Sequence, residues 1–138
     1  MNQFGLEFHH LGLAVPEPAA AFQYLEALGY RAGATCFDGY QRVNLAMRHH
    51  DSMPDVEVIW PGDKPAPIDK IIKQHGSLIY HICYTSQLVE ESIAAIEASG
   101  LEILCISEPE PAPLFDGLEV SFYSVTNVGI IEVIQLKP

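Results

Sequence analysis

A strand-helix unit occurs twice in this chain at constant spacing, and that repetition narrows the possible folds more than any other feature. His10 precedes Gly29 by nineteen residues, and His81 precedes Gly100 by nineteen. On that register Leu25-Glu26-Ala27-Leu28-Gly29-Tyr30 falls on Ile96-Glu97-Ala98-Ser99-Gly100-Leu101. Repetition at this length implies two structural units of one design in tandem. The likeness continues downstream. Phe37-Asp38-Gly39 matches Phe115-Asp116-Gly117, each an Asp-Gly hairpin signal between strand-like runs. Val56-Glu57-Val58-Ile59 likewise matches Ile131-Glu132-Val133-Ile134.

Hydrophobic periodicity gives each half the order strand, helix and three strands. The first half is predicted at 8–15, 17–28, 31–37, 41–48 and 55–60, and the second at 78–84, 87–99, 101–107, 118–124 and 129–136. Gly29 and Gly100 terminate the helices. Between the halves a Pro-rich stretch and a short helix, Ile68 to Gln74, make a linker too short to separate independent domains. The chain of 138 residues therefore reads as a single α+β domain, with module one at about 6–62, a linker at 63–76 and module two at about 77–138.

Strand alternation places His10, Gly12 and Ala14 on one face, leaving His9, Leu11, Leu13 and Val15 to pack under the helix. His81 and Cys83 oppose Tyr80, Ile82 and Tyr84 in the same way. Glu57 and Glu132 interrupt otherwise hydrophobic strands. A lone histidine on an apolar strand is ordinarily a hydrogen-bonded core residue, and a lone glutamate a solvated one. Here each glutamate has a repeat-equivalent partner, and each is matched by a repeat-equivalent histidine. Burying carboxylates there costs several kcal/mol unless they are paired or bound to a cation. Two imidazoles and two carboxylates form a mixed nitrogen and oxygen set suited to Mn²⁺, Fe²⁺, Co²⁺, Ni²⁺ or Zn²⁺. Metal binding by His10, Glu57, His81 and Glu132 is the expectation.

Composition removes other classes. Seven Lys and Arg against eighteen Asp and Glu give a net charge of −11, a field that repels nucleic acid and anionic membranes. No run approaches the length of a membrane span, and the first residues lack the pattern of a signal peptide. A soluble cytoplasmic protein is the default. Cys36, Cys83 and Cys105 have neither Cys-x-x-Cys spacing nor an even count, so reduced, buried thiols in strands are expected.

With these features the chain resembles the vicinal oxygen chelate superfamily, which includes glyoxalase I, methylmalonyl-CoA epimerase, extradiol dioxygenases and bleomycin-binding proteins. The resemblance runs from Phe8 to Leu136. It implies paired βαβββ modules forming a U-shaped mixed sheet around a metal-binding cleft, with ligands on the first and last strands of each module. Those positions are His10, Glu57, His81 and Glu132. Glu57-Val58-Ile59-Trp60-Pro61, Pro67-Ile68, Gly76 and His81-Ile82-Cys83 look most like the epimerase branch. Thr126-Asn127-Val128-Gly129 stands where glyoxalases carry an Asp-Pro-x-Gly turn.

The resemblance implies a small-molecule carbonyl or thioester substrate and a homodimer. It also implies proton abstraction next to a carbonyl by an isomerase, epimerase or lyase; the alternatives are a glyoxalase I-like lyase and a non-catalytic binder of small molecules or antibiotics. On strand 41–48, Arg42, Asn44 and Ala46 are expected to face the cleft, while Val43, Leu45 and Met47 pack under the helix. The repeat puts Glu119, Ser121 and Tyr123 in the cleft as well. Some epimerases carry an acidic catalytic residue where this chain has Arg42, and an arginine where it has Glu119. Glu119 or Glu132 then acts as the base and Arg42 grips an anionic group. Equally, Arg42 and Glu119 form a salt bridge. His49, His50 and His75 read as loop histidines, and Asp38 and Asp116 as turn residues.

Overall fold

Twelve short elements follow one another in a computed structural model, which describes residues 2–138: β1 (Leu6–Ala14), α1 (Ala19–Ala27), β2 (Arg31–Asp38), β3 (Val43–His49), β4 (Val56–Pro61), α2 (Pro67–His75), β5 (Leu78–Ser86), α3 (Val89–Ala98), β6 (Ile103–Pro111), a 3-10 turn (Pro113–Phe115), β7 (Glu119–Val125) and β8 (Gly129–Gln135). The fold is α+β, as the repeat implies. Two compact units form. One is His10–Tyr80, and the other combines residues 2–9 with His81–Pro138. Their limits fall inside β1 and β5.

In the unit His10–Tyr80 the strands lie in the order β2-β3-β4-β1. The β1–β4 pair is parallel, and the β2–β3 and β3–β4 pairs are antiparallel. A parallel return needs a crossover connection, and α1 begins the one between β1 and β4. Helix α1 stops where Gly29 takes up a φ of +99°, a conformation that costs other residues a steric penalty. Its apolar stripe Ala21, Phe22 and Leu25 packs on Leu13, Val15, Tyr30, Val56, Val58 and Trp60. Phe22 meets Trp60 edge-on, and the Arg48 guanidinium lies 4.0 Å from the Phe22 ring centroid.

The second unit repeats this plan with the order β5-β8-β7-β6 and a parallel β5–β8 pair. Val89, Ile93 and Ile96, spaced at i, i+4 and i+7, fix the buried face of α3. They pack with Leu6, Tyr123, Val125, Ile131 and Val133, so the segment before His10 closes this core rather than the first one. The buried Ser92 hydroxyl is 2.7 Å from that of Ser86, which gives both hydroxyls a partner beneath the helix.

The sequence reading missed several features. Strand β6 runs on to Pro111, past the predicted end at residue 107, because Glu110 and Pro111 still pair with Val120 and Glu119. His49 closes β3 and His75 closes α2, so neither is a loop residue. Ile82 is exposed rather than packed, and Cys105, on edge strand β6, is exposed rather than buried. Both outer strands are irregular, with register shifts at 32–35 in β2 and at 105–107 and 107–110 in β6. No helix among the described residues is long and apolar enough to cross a membrane.

Ile134 is 1% exposed at the centre of the second unit's other cluster, with Cys83, Ala112, Val120 and Phe122. Ile134→Ala is expected to lower unfolding free energy by about 2–5 kcal/mol. The denaturation midpoint should fall while the slope against denaturant stays constant.

Candidate functional site

Within each unit one strand pairing brings a buried imidazole to a buried carboxylate. The β1–β4 register sets Gly12 beside Glu57, so His10, two residues earlier on β1, shares the glutamate's face. His10 Nε2 lies 3.6 Å from Glu57 Oε1. On β5 and β8, Cys83 is beside Glu132 and His81 shares its face, with His81 Nε2 3.2 Å from Glu132 Oε1. His10, Glu57, His81 and Glu132 are 0%, 2%, 2% and 3% exposed.

The separations carry chemical information. The half-exposed pair His49 Nδ1 and Asp55 Oδ2 is at 2.9 Å, an ordinary charge-assisted hydrogen bond. Both buried pairs are wider. Two ligand atoms each about 2.1 Å from a shared ion stand about 3–3.5 Å apart at right or tetrahedral angles. The donor set is of the right kind too, since each of the four residues offers one imidazole nitrogen or carboxylate oxygen. Chemistry and spacing within each pair therefore fit a divalent cation.

The surroundings of each pair are apolar. Met47 is the cross-strand neighbour of Glu57, and Leu45 that of Ile59. In the second unit Phe122 lies opposite Glu132 and Val120 opposite Ile134. Directly opposed residues of an antiparallel pair share one face. Met47, Leu45, Phe122 and Val120 are thus the immediate strand neighbours on the ligand faces, and all are buried.

This register reverses the expected faces of β3 and β7. Asn44 and Ala46 pair with Trp60 and Val58, whose side chains lie under α1, so they share the helix face. Ser121 and Tyr123 pair with Val133 and Ile131 beneath α3, and Glu119, by alternation, shares their face rather than that of Glu132. Arg42 precedes β3; it is exposed and left-handed, with φ +58° and its amide bonded to the Asp38 carbonyl. Asp38 behaves as the turn residue it was taken for, its carboxylate accepting from the amides of Tyr40 and Gln41. Polarity misled the face assignment. The sheet buries polar Ser121 against α3 because the Tyr123 hydroxyl donates to it at 2.9 Å. Similarly, Asn44 donates to the Pro61 carbonyl and Arg48 rests on Phe22. Sequence reasoning packs Met47 under the helix and does not single out Phe122, whereas both lie opposite the buried glutamates. The only signal for them was the opposition of β3 to β4 and of β7 to β8 about each glutamate.

Partial desolvation raises the thiols of half-buried Cys36 and of largely exposed Cys105, and nearby carboxylates add to the shift: Asp38 and Glu57 for Cys36, Glu108 for Cys105. Neither is the thiolate that nucleophilic chemistry requires. Burial likewise raises the Tyr123 phenol, against the opposing pull of its Ser121 bond.

With this geometry in hand, comparison with known proteins is informative. A model of the glyoxalase/bleomycin resistance protein/dioxygenase superfamily matches residues 9–122. The chain belongs to that superfamily. A hypothetical protein from Bacillus halodurans C-125 shares its fold, with a TM-score of 0.79 and 23% identity over 96% of both chains. Methylmalonyl-CoA epimerase from Mycobacterium tuberculosis is similar at TM-score 0.75 and 16% identity, covering 97% of this chain and 89% of the epimerase. The Streptomyces coelicolor methylmalonyl-CoA epimerase, in complex with 2-nitronate-propionyl-CoA, aligns at TM-score 0.73 and 18% identity over 96% of this chain and 98% of its own. No curated protein matches in sequence.

A carboxylate in apolar surroundings lowers stability when no cation compensates it. Glu132→Gln, which keeps the shape and removes the charge, is expected to stabilise chelator-treated protein by about 0.5–2 kcal/mol. Chemical denaturation in the presence of excess chelator measures the gain.

Proposed function

We propose that this chain is a metal-dependent enzyme that abstracts a proton next to a carbonyl or thioester carbonyl of a small substrate, as an isomerase, epimerase or lyase. In this reading the metal ligands are His10, Glu57, His81 and Glu132. The observation that carries it is the pairing, in each unit, of one buried imidazole with one buried carboxylate, at 3.6 Å and 3.2 Å, on an apolar sheet face. Two ligands alone hold an ion poorly, whereas four leave room in a six-coordinate shell for water or substrate.

A divalent ion bound there supplies Lewis acidity to the substrate's carbonyl oxygen. The protein's part is to position and to move a proton. His10 on β1 and His81 on β5 stand beside the carboxylates of Glu57 and Glu132. Glu132, or its repeat equivalent Glu57, accepts the proton α to the carbonyl, since the nearest strand neighbours on those faces carry no basic group. Met47, Leu45, Val120 and Phe122 keep water from the reacting carbon, which protects a carbanion-like transition state from stray protonation. Arg42 and Glu119 have no place in this scheme. The similar epimerases, one of them bound to an acyl-CoA analogue, support a thioester as the first substrate class to try.

Metal analysis of purified protein is the first test, with about one Co²⁺ or Ni²⁺ expected per chain. Chelator-treated protein that takes up neither ion would instead indicate a binding protein. With metal bound, deuterium exchange at the α-carbon of acyl-CoA thioesters in D₂O reads proton abstraction directly. Glu132→Gln is expected to slow it by about 100-fold or more, whereas Glu119→Gln should stay within about twofold of wild type.

A further inference from the structure

We infer that Phe122 is a positioning residue for the pair His81 and Glu132, an inference that rests on the proposed metal-binding reading. Three observations converge on this side chain. It is the cross-strand neighbour of Glu132. Its ring stands nearly perpendicular to that of His81, at 79° with centroids 5.3 Å apart. It is 4% exposed and wedged among Cys83, Ala112, Val120 and Ile134, so its own rotamer is fixed by packing. One rigid ring thus touches one ligand and flanks the other.

The physical consequence concerns orientation. Terminal torsions of histidine are broad and roughly two-fold, so an imidazole needs a neighbour to choose which nitrogen it presents. A perpendicular aromatic contact is directional, because the ring's positive edge prefers a negative face. Phe122 therefore holds the His81 ring in the plane that aims Nε2 at Glu132. At the repeat-equivalent position, opposite Glu57, stands Met47. An unbranched thioether fills space without imposing a ring plane.

The test compares Phe122→Leu, Phe122→Tyr and Met47→Leu, each first shown to be folded by its circular dichroism. Phe122→Leu is expected to weaken Co²⁺ binding by about tenfold, the lower end of what loss of an orienting neighbour costs, and to shift the visible Co²⁺ absorption band. Phe122→Tyr keeps the ring and should restore both. Met47→Leu conserves volume and should leave the Kd within about twofold. A folded Phe122→Leu protein with the wild-type Kd and spectrum overturns the inference. If wild-type protein binds no Co²⁺, the metal-binding reading fails, and the inference is then read from the ¹⁵N and ¹H resonances of the His81 ring in metal-free protein. One ring orientation in wild type with averaging in Phe122→Leu upholds it, and identical spectra overturn it.

Discussion

Parallel pairing between the first and last strands of each module is the constraint on which everything else depends. It places Gly12 beside Glu57 and Cys83 beside Glu132, and the two-residue period of a strand then brings each histidine onto its glutamate's face. A slip of one residue would move an entire strand's side chains to the opposite face, burying the acid under the helix. Slips are resisted by the cores themselves. Val56 and Val58 are locked beneath α1, and Ile131 and Val133 beneath α3, so the helix-side packing holds the histidine and glutamate of each pair in register.

That coupling between faces explains the energetic character of the molecule. A buried carboxylate in an apolar sheet is costly, and chains keep such groups where chemistry needs them. Each unit concentrates this cost in one residue pair and surrounds it with ordinary core. The low dielectric that penalises the bare pair also strengthens its interaction with a cation or a developing charge. Destabilisation and function thus have the same origin.

Much of this was legible in the sequence because the chain states its plan twice. One copy of His10 or Glu57 is ambiguous, but the matched spacing to His81 and Glu132 turned two ambiguous residues into a pattern. The helices were legible from the spacing of Ala21, Phe22, Leu25 and Leu28, and of Leu88, Val89, Ile93 and Ile96, although Leu28 and Leu88 are exposed. The faces of β3 and β7 were not. Polarity assigned Asn44, Ser121 and Glu119 to the functional side, whereas pairing with β4 and β8 puts Met47 and Phe122 there. Which face each residue takes is set by its pairing across the hairpin, and with Arg42 in a left-handed turn β3 starts at Val43 rather than at residue 41.

The irregular outer strands have a consequence for how the protein behaves when concentrated. Strand β6 presents Leu104 and Ile106, 70% and 54% exposed, at the end of its sheet, where an even ladder of unpaired amides would recruit further strands. Its two register shifts, together with Pro109 and Pro111, which offer no amide hydrogen, break that ladder into pieces too short to template a neighbour. Strand β2 interrupts its own edge in the same way. Added to mutual repulsion between chains of charge −11, this gives a sheet whose growth ends at its own last strand, so apolar residues can stay on the rim without seeding fibres.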